Sequence, residues 1–162
     1  MAERWVVNAS PVILLAKAEV IRFLPQLCDE LVIPVGVVEE VQQLRVSDAG
    51  GRWLQGDGAR FIRPCPALHP ALAAWRGGAG EGEVISWALQ HPGFTAILDD
   101  RRARAFAVRN GVAVLGSLRI IVLAKERGLI PHATPALEKL TGQGGWVSDD
   151  LIRKAIELAG ES

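Results

Sequence analysis

The feature that most constrains this chain is a recurring pair: a short apolar run ending in a polar turn, then a stretch with helical spacing. Trp5-Val6-Val7 ends at Asn8, and Ser10-Pro11 reads as an N-cap with proline at the first helical position, opening a helix from Val12 to Lys17. A proline-interrupted helical stretch from Glu19 to Leu27 leads to Leu31-Val32-Ile33, and Pro34 starts a helix reaching about Leu44. After Gly80 the pattern sharpens into helix Glu81 to Gln90, strand Thr95 to Leu98, helix Asp100 to Asn110, strand Val112 to Leu115 and helix Ser117 to Arg127. Such alternation predicts an α/β fold whose central parallel sheet, of about five strands, is covered by helices on both faces.

Between the two halves the signal weakens. Ser47 to Gly58 is rich in glycine and polar residues and reads as irregular, Arg60-Phe61-Ile62-Arg63 as a short strand, and Pro64 to Gly80 as a loop or loosely helical flap. Gly128 stands in the C′ position that closes a helix, and Pro135 and Ser148 open two more, the last running amphipathically to Ala159. With no internal repeat or linker, the expectation is one domain: a β-α core over 1–130 and a C-terminal helical extension of the same domain over 131–162.

A chain of 162 residues buries roughly 70 % of its unfolded surface, so no metal or disulfide staple is needed for folding. Hydrophobic residues at 49 % and charged residues at 22 % exclude a disordered or coiled-coil chain. Lys plus Arg equals Asp plus Glu at 18 each, so a nucleic-acid partner has to be held by a local basic patch rather than by overall charge. Cys28 and Cys65 lie far apart and outside any ligand spacing, which argues for packing roles in a reducing compartment and against a zinc site. His69, His91 and His132 are equally scattered, which disfavours a histidine-centred hydrolase. No signal-peptide pattern opens the chain and no run of about 18 apolar residues spans a bilayer, so the expected location is cytoplasmic, without a membrane partner.

Ligands of open parallel sheets bind beyond the carboxyl ends of the strands. Asn8 and the pair Asp99-Asp100 fall there. On the helix after Pro34, the stripe Val37, Val38, Val41, Leu44 puts Glu40 at its border and Glu39 opposite. On the helix after Gly80, Glu81 falls near the centre of the buried side and Glu83 well round from it. Each residue has an ordinary explanation as well: acids in a first turn complement the helix dipole, one of Asp99 and Asp100 suffices as an N-cap, and Asn8 fits an Asx turn. Together, however, Glu40, Glu81, Glu83, Asp99 and Asp100 gather negative charge that repels itself unless protons or cations are bound. Hard oxygen donors without His or Cys select Mg²⁺ or Mn²⁺.

These segments, in order, resemble a known family: residues 6–17 (VVNASPVILLAK), 33–41 (IPVGVVEEV), 80–85 (GEGEVI), 98–104 (LDDRRAR) and 124–130 (AKERGLI). They are similar to the PIN-domain superfamily, in particular a prokaryotic branch near the VapC-type toxins. The resemblance implies a PIN-like domain with a central parallel sheet, metal-dependent phosphodiester cleavage, of RNA more than DNA, a homodimer, and a possible antitoxin partner. It puts Asn8 where the family usually has its first Asp, Glu40 on the second acidic position, Glu81 or Glu83 on the third and Asp99 or Asp100 on the fourth. Ser10 matches the family's hydroxyl near the metal.

The metal-holding set is then Asn8, Glu40, Glu81, Glu83, Asp99 and Asp100, with Glu40, Glu81 and Asp100 as the catalytic acids. Ser10, Arg101, Arg102 and Arg104 are the candidate nucleic-acid contacts, although an arginine run on a helix also serves as a plain solvated face. Asn8 is the departure: its amide offers a neutral oxygen where a carboxylate brings a full charge. Two functions are compatible with this pattern, a VapC-like metal-dependent endoribonuclease or a PIN-like binding module that has lost catalysis. Of the five tryptophans, Trp5 and Trp87 read as core, while Trp53 and Trp75 are candidates for a substrate wall or a dimer contact.

Overall fold

The structure, a computed structural model, describes residues 2–44, 48–142 and 147–161. Trp146 and the expected loop start at Ser47 lie outside the described residues. Five strands form one parallel sheet: β1 (Arg4–Val7), β2 (Glu30–Pro34), β3 (Ile62–Arg63), β4 (Phe94–Ile97) and β5 (Val114–Leu115), in the order β3-β2-β1-β4-β5. Val6 lies opposite Val32 on one side and Ala96 on the other. Trp5, Val6 and Val7 are all buried, as expected of a strand covered on both faces, and the two edge strands are short and partly exposed.

Helices α1 (Ala9–Lys17), α2 (Leu24–Leu27), α3 (Val35–Gln43), α4 (Asp48–Gln55), α5 (Ala79–Gln90), α6 (Arg101–Arg109), α7 (Ser117–Glu126), α8 (Thr134–Glu138) and α9 (Asp149–Leu158) flank the sheet. Among the described residues this is the α/β architecture expected. From Pro11 to Ala16 every residue of α1 is buried, because the helix packs against α3, α4 and α7 and so has no solvent face. Gly128, at φ +75°, ends α7 in the left-handed conformation that favours glycine. Ser148 caps α9, its hydroxyl accepting from the Leu151 amide at 3.2 Å.

Two local expectations are corrected. The segment read as irregular holds α4: Gly50 and Gly51 cost about 1 kcal/mol each in a helix, but Trp53 and Leu54 are buried on its inner face. A Cβ on Gly50 would make ordinary contact with Val12 Cγ1 at 3.4 Å and one on Gly51 would meet nothing, so the packing of α4 on α1 requires neither glycine. Trp53 is therefore core, stacked on Phe61 at 6.2 Å between centroids, and not a substrate wall. Second, Ser10 is not an N-cap. Helix α1 begins at Ala9, with Asn8 in the cap position making no side-chain cap bond, which frees both side chains for the site below.

Both cysteines are free thiols. The Cys28 thiol donates to the Leu24 carbonyl at 3.5 Å, and burial pushes it up to about 12. No helix of the described residues is long and apolar enough to cross a membrane.

Candidate functional site

The chain leaves β1 toward β2 on one side and later runs from β4 to β5 on the other, so the connections after β1 and β4 diverge and open a crevice at the sheet's carboxyl edge. Val7 is aligned with Ile97, and the Asn8 amide donates to the Ile97 carbonyl at 3.2 Å, so Asn8 stands beside the start of the Leu98-Asp99-Asp100 turn. On the far side the Leu98 amide donates to the Leu115 carbonyl at 3.0 Å, bringing Gly116-Ser117 alongside Asp99.

Asp99 is consequently surrounded by donors. Its Oδ1 accepts from the Ser117 amide at 2.8 Å, and its Oδ2 accepts from the Ser117 hydroxyl at 2.7 Å and the Ser10 hydroxyl at 3.0 Å. Asp100 is the N-cap of α6, its Oδ2 accepting from the Ala103 amide at 2.9 Å. The adjacent acids thus differ in role: one braces three elements, and the other caps a helix while staying exposed to solvent.

The remaining oxygens converge from three other elements. Asn8 is only 4 % exposed, and its Oδ1 has no hydrogen-bond partner, an arrangement that costs free energy unless something outside the chain satisfies it. Gly80 marks where it points: a Cβ there would lie 3.2 Å from Glu40 Oε2 and 3.4 Å from Asn8 Oδ1. Glu81 comes in from the first turn of α5, its Oε1 accepting from the Gly78 amide at 3.3 Å. Burial raises the Glu40 carboxyl above its ordinary value. Glu81 is raised by burial first, then by the negative charge of Asp100 and of Glu40, despite the Gly78 bond.

Asn8, Ser10, Glu40, Glu81, Asp99, Asp100 and Arg101 line one cleft of about 650 Å³. Ser148 and Leu151, from the start of α9, close its far side. Neither is expected from sequence, since nothing in the terminal helix's own pattern points to a distant crevice.

A family model described as a PIN domain matches residues 4–161. The chain belongs to the PIN-domain family. No curated protein and no solved structure matches it. The PIN fold is nuclease-like in general, and PIN domains typically bind nucleic acid and generally use divalent metals.

Whether this PIN domain's residues suit such an ion depends on their free oxygens. As they stand, no three Asp, Glu, His or Cys side chains among the described residues are gathered closely enough to enclose one. The chemistry nevertheless fits: an all-oxygen wall, a buried amide oxygen without a partner, and two carboxyls whose proton affinity is raised. Asp99 is the least available of the set, because both its oxygens already accept protein donors.

Three other candidates stand apart from the cleft. Glu83 turns to α3, where its Oε1 accepts from the Gly36 amide at 3.3 Å. Arg104 crosses behind the Asp99 turn, donating to the Leu98 carbonyl at 3.0 Å. Arg102 is exposed, though close enough for its charge to oppose the upward shift of Glu81. Trp75 packs on Phe106 and donates its indole N–H to the Gly78 carbonyl at 2.9 Å, pinning the loop that leads to Glu81. Its contacts are those of a brace.

Proposed function

We propose that this PIN domain is a divalent-metal-dependent nuclease, an endoribonuclease of the VapC-like toxin kind. The observation that carries this is the bondless, buried Asn8 Oδ1 facing the same space as Glu40 at the mouth of the sheet's switch point. Asn8, Glu40 and Glu81, flanked by Asp100, are the residues that would hold Mg²⁺ or Mn²⁺, which when bound activates water and offsets charge on a phosphodiester. Asp99 holds Ser10 and Ser117 in place and so fixes α1 and α7 around the cleft. Arg101, on the cleft wall, meets the substrate's phosphate backbone. RNA in preference to DNA, an antitoxin partner, a homodimer and a cytoplasmic location belong to the same reading and rest on the family resemblance.

The test is incubation of labelled single-stranded RNA and DNA with the protein in Mn²⁺, Mg²⁺ or EDTA, beside a Glu81→Gln/Asp100→Asn double variant. Cleavage that requires metal and vanishes in the variant is the expected result. A folded wild-type protein that cleaves nothing with either ion overturns it.

Asn8 favours a second reading. An amide in place of the family's first carboxylate, with Asp99 already saturated by protein donors, also suits a PIN-like module that binds nucleic acid without cutting it. That module binds RNA in EDTA and in Mn²⁺ alike and releases no product.

A further inference from the structure

Behind the acidic cleft lies a second one, of about 370 Å³, lined by Arg101, Arg104, Arg119, Leu118, Val147 and Leu151, with Asp99 and Gly116 at its edge. It adjoins the first: Asp99, Arg101 and Leu151 line both. One cleft presents carboxylates and the other guanidinium groups, side by side.

We infer that Arg101, Arg104 and Arg119 form a subsite for the backbone phosphate next to the one at the acidic cleft, with Leu118, Val147 and Leu151 receiving its sugar and base. The inference rests on the nucleic-acid reading above and adds Arg119, a residue on α7 that the arginine run at 101–104 gives no reason to suspect.

Two of the three guanidinium groups are oriented but far from used up, while Arg101 is exposed on the wall that both clefts share. Arg104 spends one N–H on the Leu98 carbonyl, and the absence of a side chain at Gly116 lets it lie there: a Cβ would meet its Nη1 at 2.9 Å. Arg119 is held by Glu126, seven residues on, through an ion pair of 3.2 Å, with its side chain 39 % exposed. A guanidinium carries five N–H donors in a planar fork, so both retain donors for phosphate. Asp99 brings one negative charge to the edge of this cleft against three guanidinium groups, so the lining stays net positive. Val147 is buried and Leu151 is half-exposed, an apolar surface that suits a nucleoside better than a bare inorganic anion. A single strand with its scissile phosphate among Asn8, Glu40 and Glu81 then continues past Arg101 into the basic cleft.

The experiment measures binding without turnover. Fluorescence anisotropy of a labelled, mixed-sequence single-stranded oligoribonucleotide is followed in EDTA over a salt series, for wild type, Arg119→Ala and Arg119→Gln. Because Arg119 is partly exposed, both variants should fold, and circular dichroism checks it. Losing one phosphate contact should weaken binding about fivefold and reduce the slope of log affinity against log salt by about 0.7. Affinity and slope equal to wild type in both variants would overturn the subsite while leaving the acidic cleft's reading intact. A wild-type protein that binds no oligonucleotide at all brings down the nucleic-acid reading, and the subsite with it.

Discussion

Ser10 Oγ and Asp99 Oδ2, 89 positions apart in the chain, are joined by a 3.0 Å hydrogen bond. With Ser117 bound to the same carboxylate, helix α1, the turn after β4 and the start of α7 are tied at one point. A half-buried carboxylate accepting three hydrogen bonds works as a mechanical brace whether or not it also faces a ligand.

Asp99→Asn tests the brace. The amide oxygen can keep the Ser117 N–H bond while the N–H₂ donates to the two hydroxyls, so charge-assisted bonds of about 1.5–3 kcal/mol become neutral ones of about 0.5–1.5 kcal/mol, a difference of about 1 kcal/mol. Urea unfolding should show a loss of that order in EDTA, with no metal involved. A loss below about 0.5 kcal/mol, the usual range of surface substitutions, would show that Asp99 has little to do with holding the three elements together.

At the other end of the chain Glu161 provides a pH-dependent latch. The Ala133 amide, then the Thr134 hydroxyl and amide and the Lys125 ammonium, outweigh the cost of burial and lower its carboxyl to about 2. A carboxyl lowered in the folded state stabilises fully above its ordinary value near 4.5 and loses that contribution as pH falls toward 2. Urea midpoints at pH 7, 5 and 3 should therefore decline less steeply in Glu161→Gln than in wild type. Parallel declines would mean that the latch contributes nothing.

Much of this architecture is legible in the sequence, and the exceptions have physical causes. The β-α alternation locates β1, β2 and β4 because buried parallel strands are nearly all apolar and end at polar turns. Asn8, Asp99 and Asp100 stand out at the carboxyl ends of those strands, and Glu40 and Glu81 stand out by their angles on the neighbouring helices. Helix α4 is hidden because Gly50-Gly51 lowers the local helix propensity, and only the long-range burial of Trp53 and Leu54 offsets it. Ser10 before a proline has the pattern of a cap, yet its hydroxyl is drawn to Asp99, a long-range partner. Helical angles alone separate Glu81 from Glu83; that Glu83 faces the Gly36 amide depends on the packing of α3 on α5. Leu151 reaches the clefts through the packing of α9 on α7, and Arg119 reaches the basic one because α7 starts beside the Asp99 turn.

The separation of the two glutamates is itself testable. Glu83→Gln should leave the rise in melting temperature produced by Mn²⁺ unchanged, since that side chain is bound to α3 rather than facing the cleft. Gly36→Ala, whose Cβ would meet only the flexible end of the Glu83 side chain, should push that carboxylate off the Gly36 amide at a cost of no more than about 1 kcal/mol, that of one hydrogen bond. A lost metal response in Glu83→Gln would move that carboxylate into the site.

The sharpest prediction sets Asn8→Asp against Glu81→Gln. Without metal, the wild-type cleft already holds carboxyls raised by burial and mutual repulsion. Such a group costs stability once ionised: the penalty is absent below its ordinary value, grows as pH rises toward the folded-state value, and stays constant above it. Removing one charge should therefore raise the melting temperature of Glu81→Gln in EDTA at pH 7, with the advantage fading near pH 4. Adding one should have the opposite effect: Asn8→Asp buries a further anion beside Glu40 and should cost about 1–3 kcal/mol in EDTA. With Mn²⁺ the order should invert, because a ligand that binds only the folded state stabilises by about 2.7 kcal/mol at a hundredfold excess over Kd, and the added carboxylate tightens that binding while Glu81→Gln loses it. Melting curves of the three proteins in EDTA and in Mn²⁺ decide the matter. If the order stays the same in both, Asn8, Glu40 and Glu81 do not share an ion, and the module that binds without cutting becomes the better account of this PIN domain.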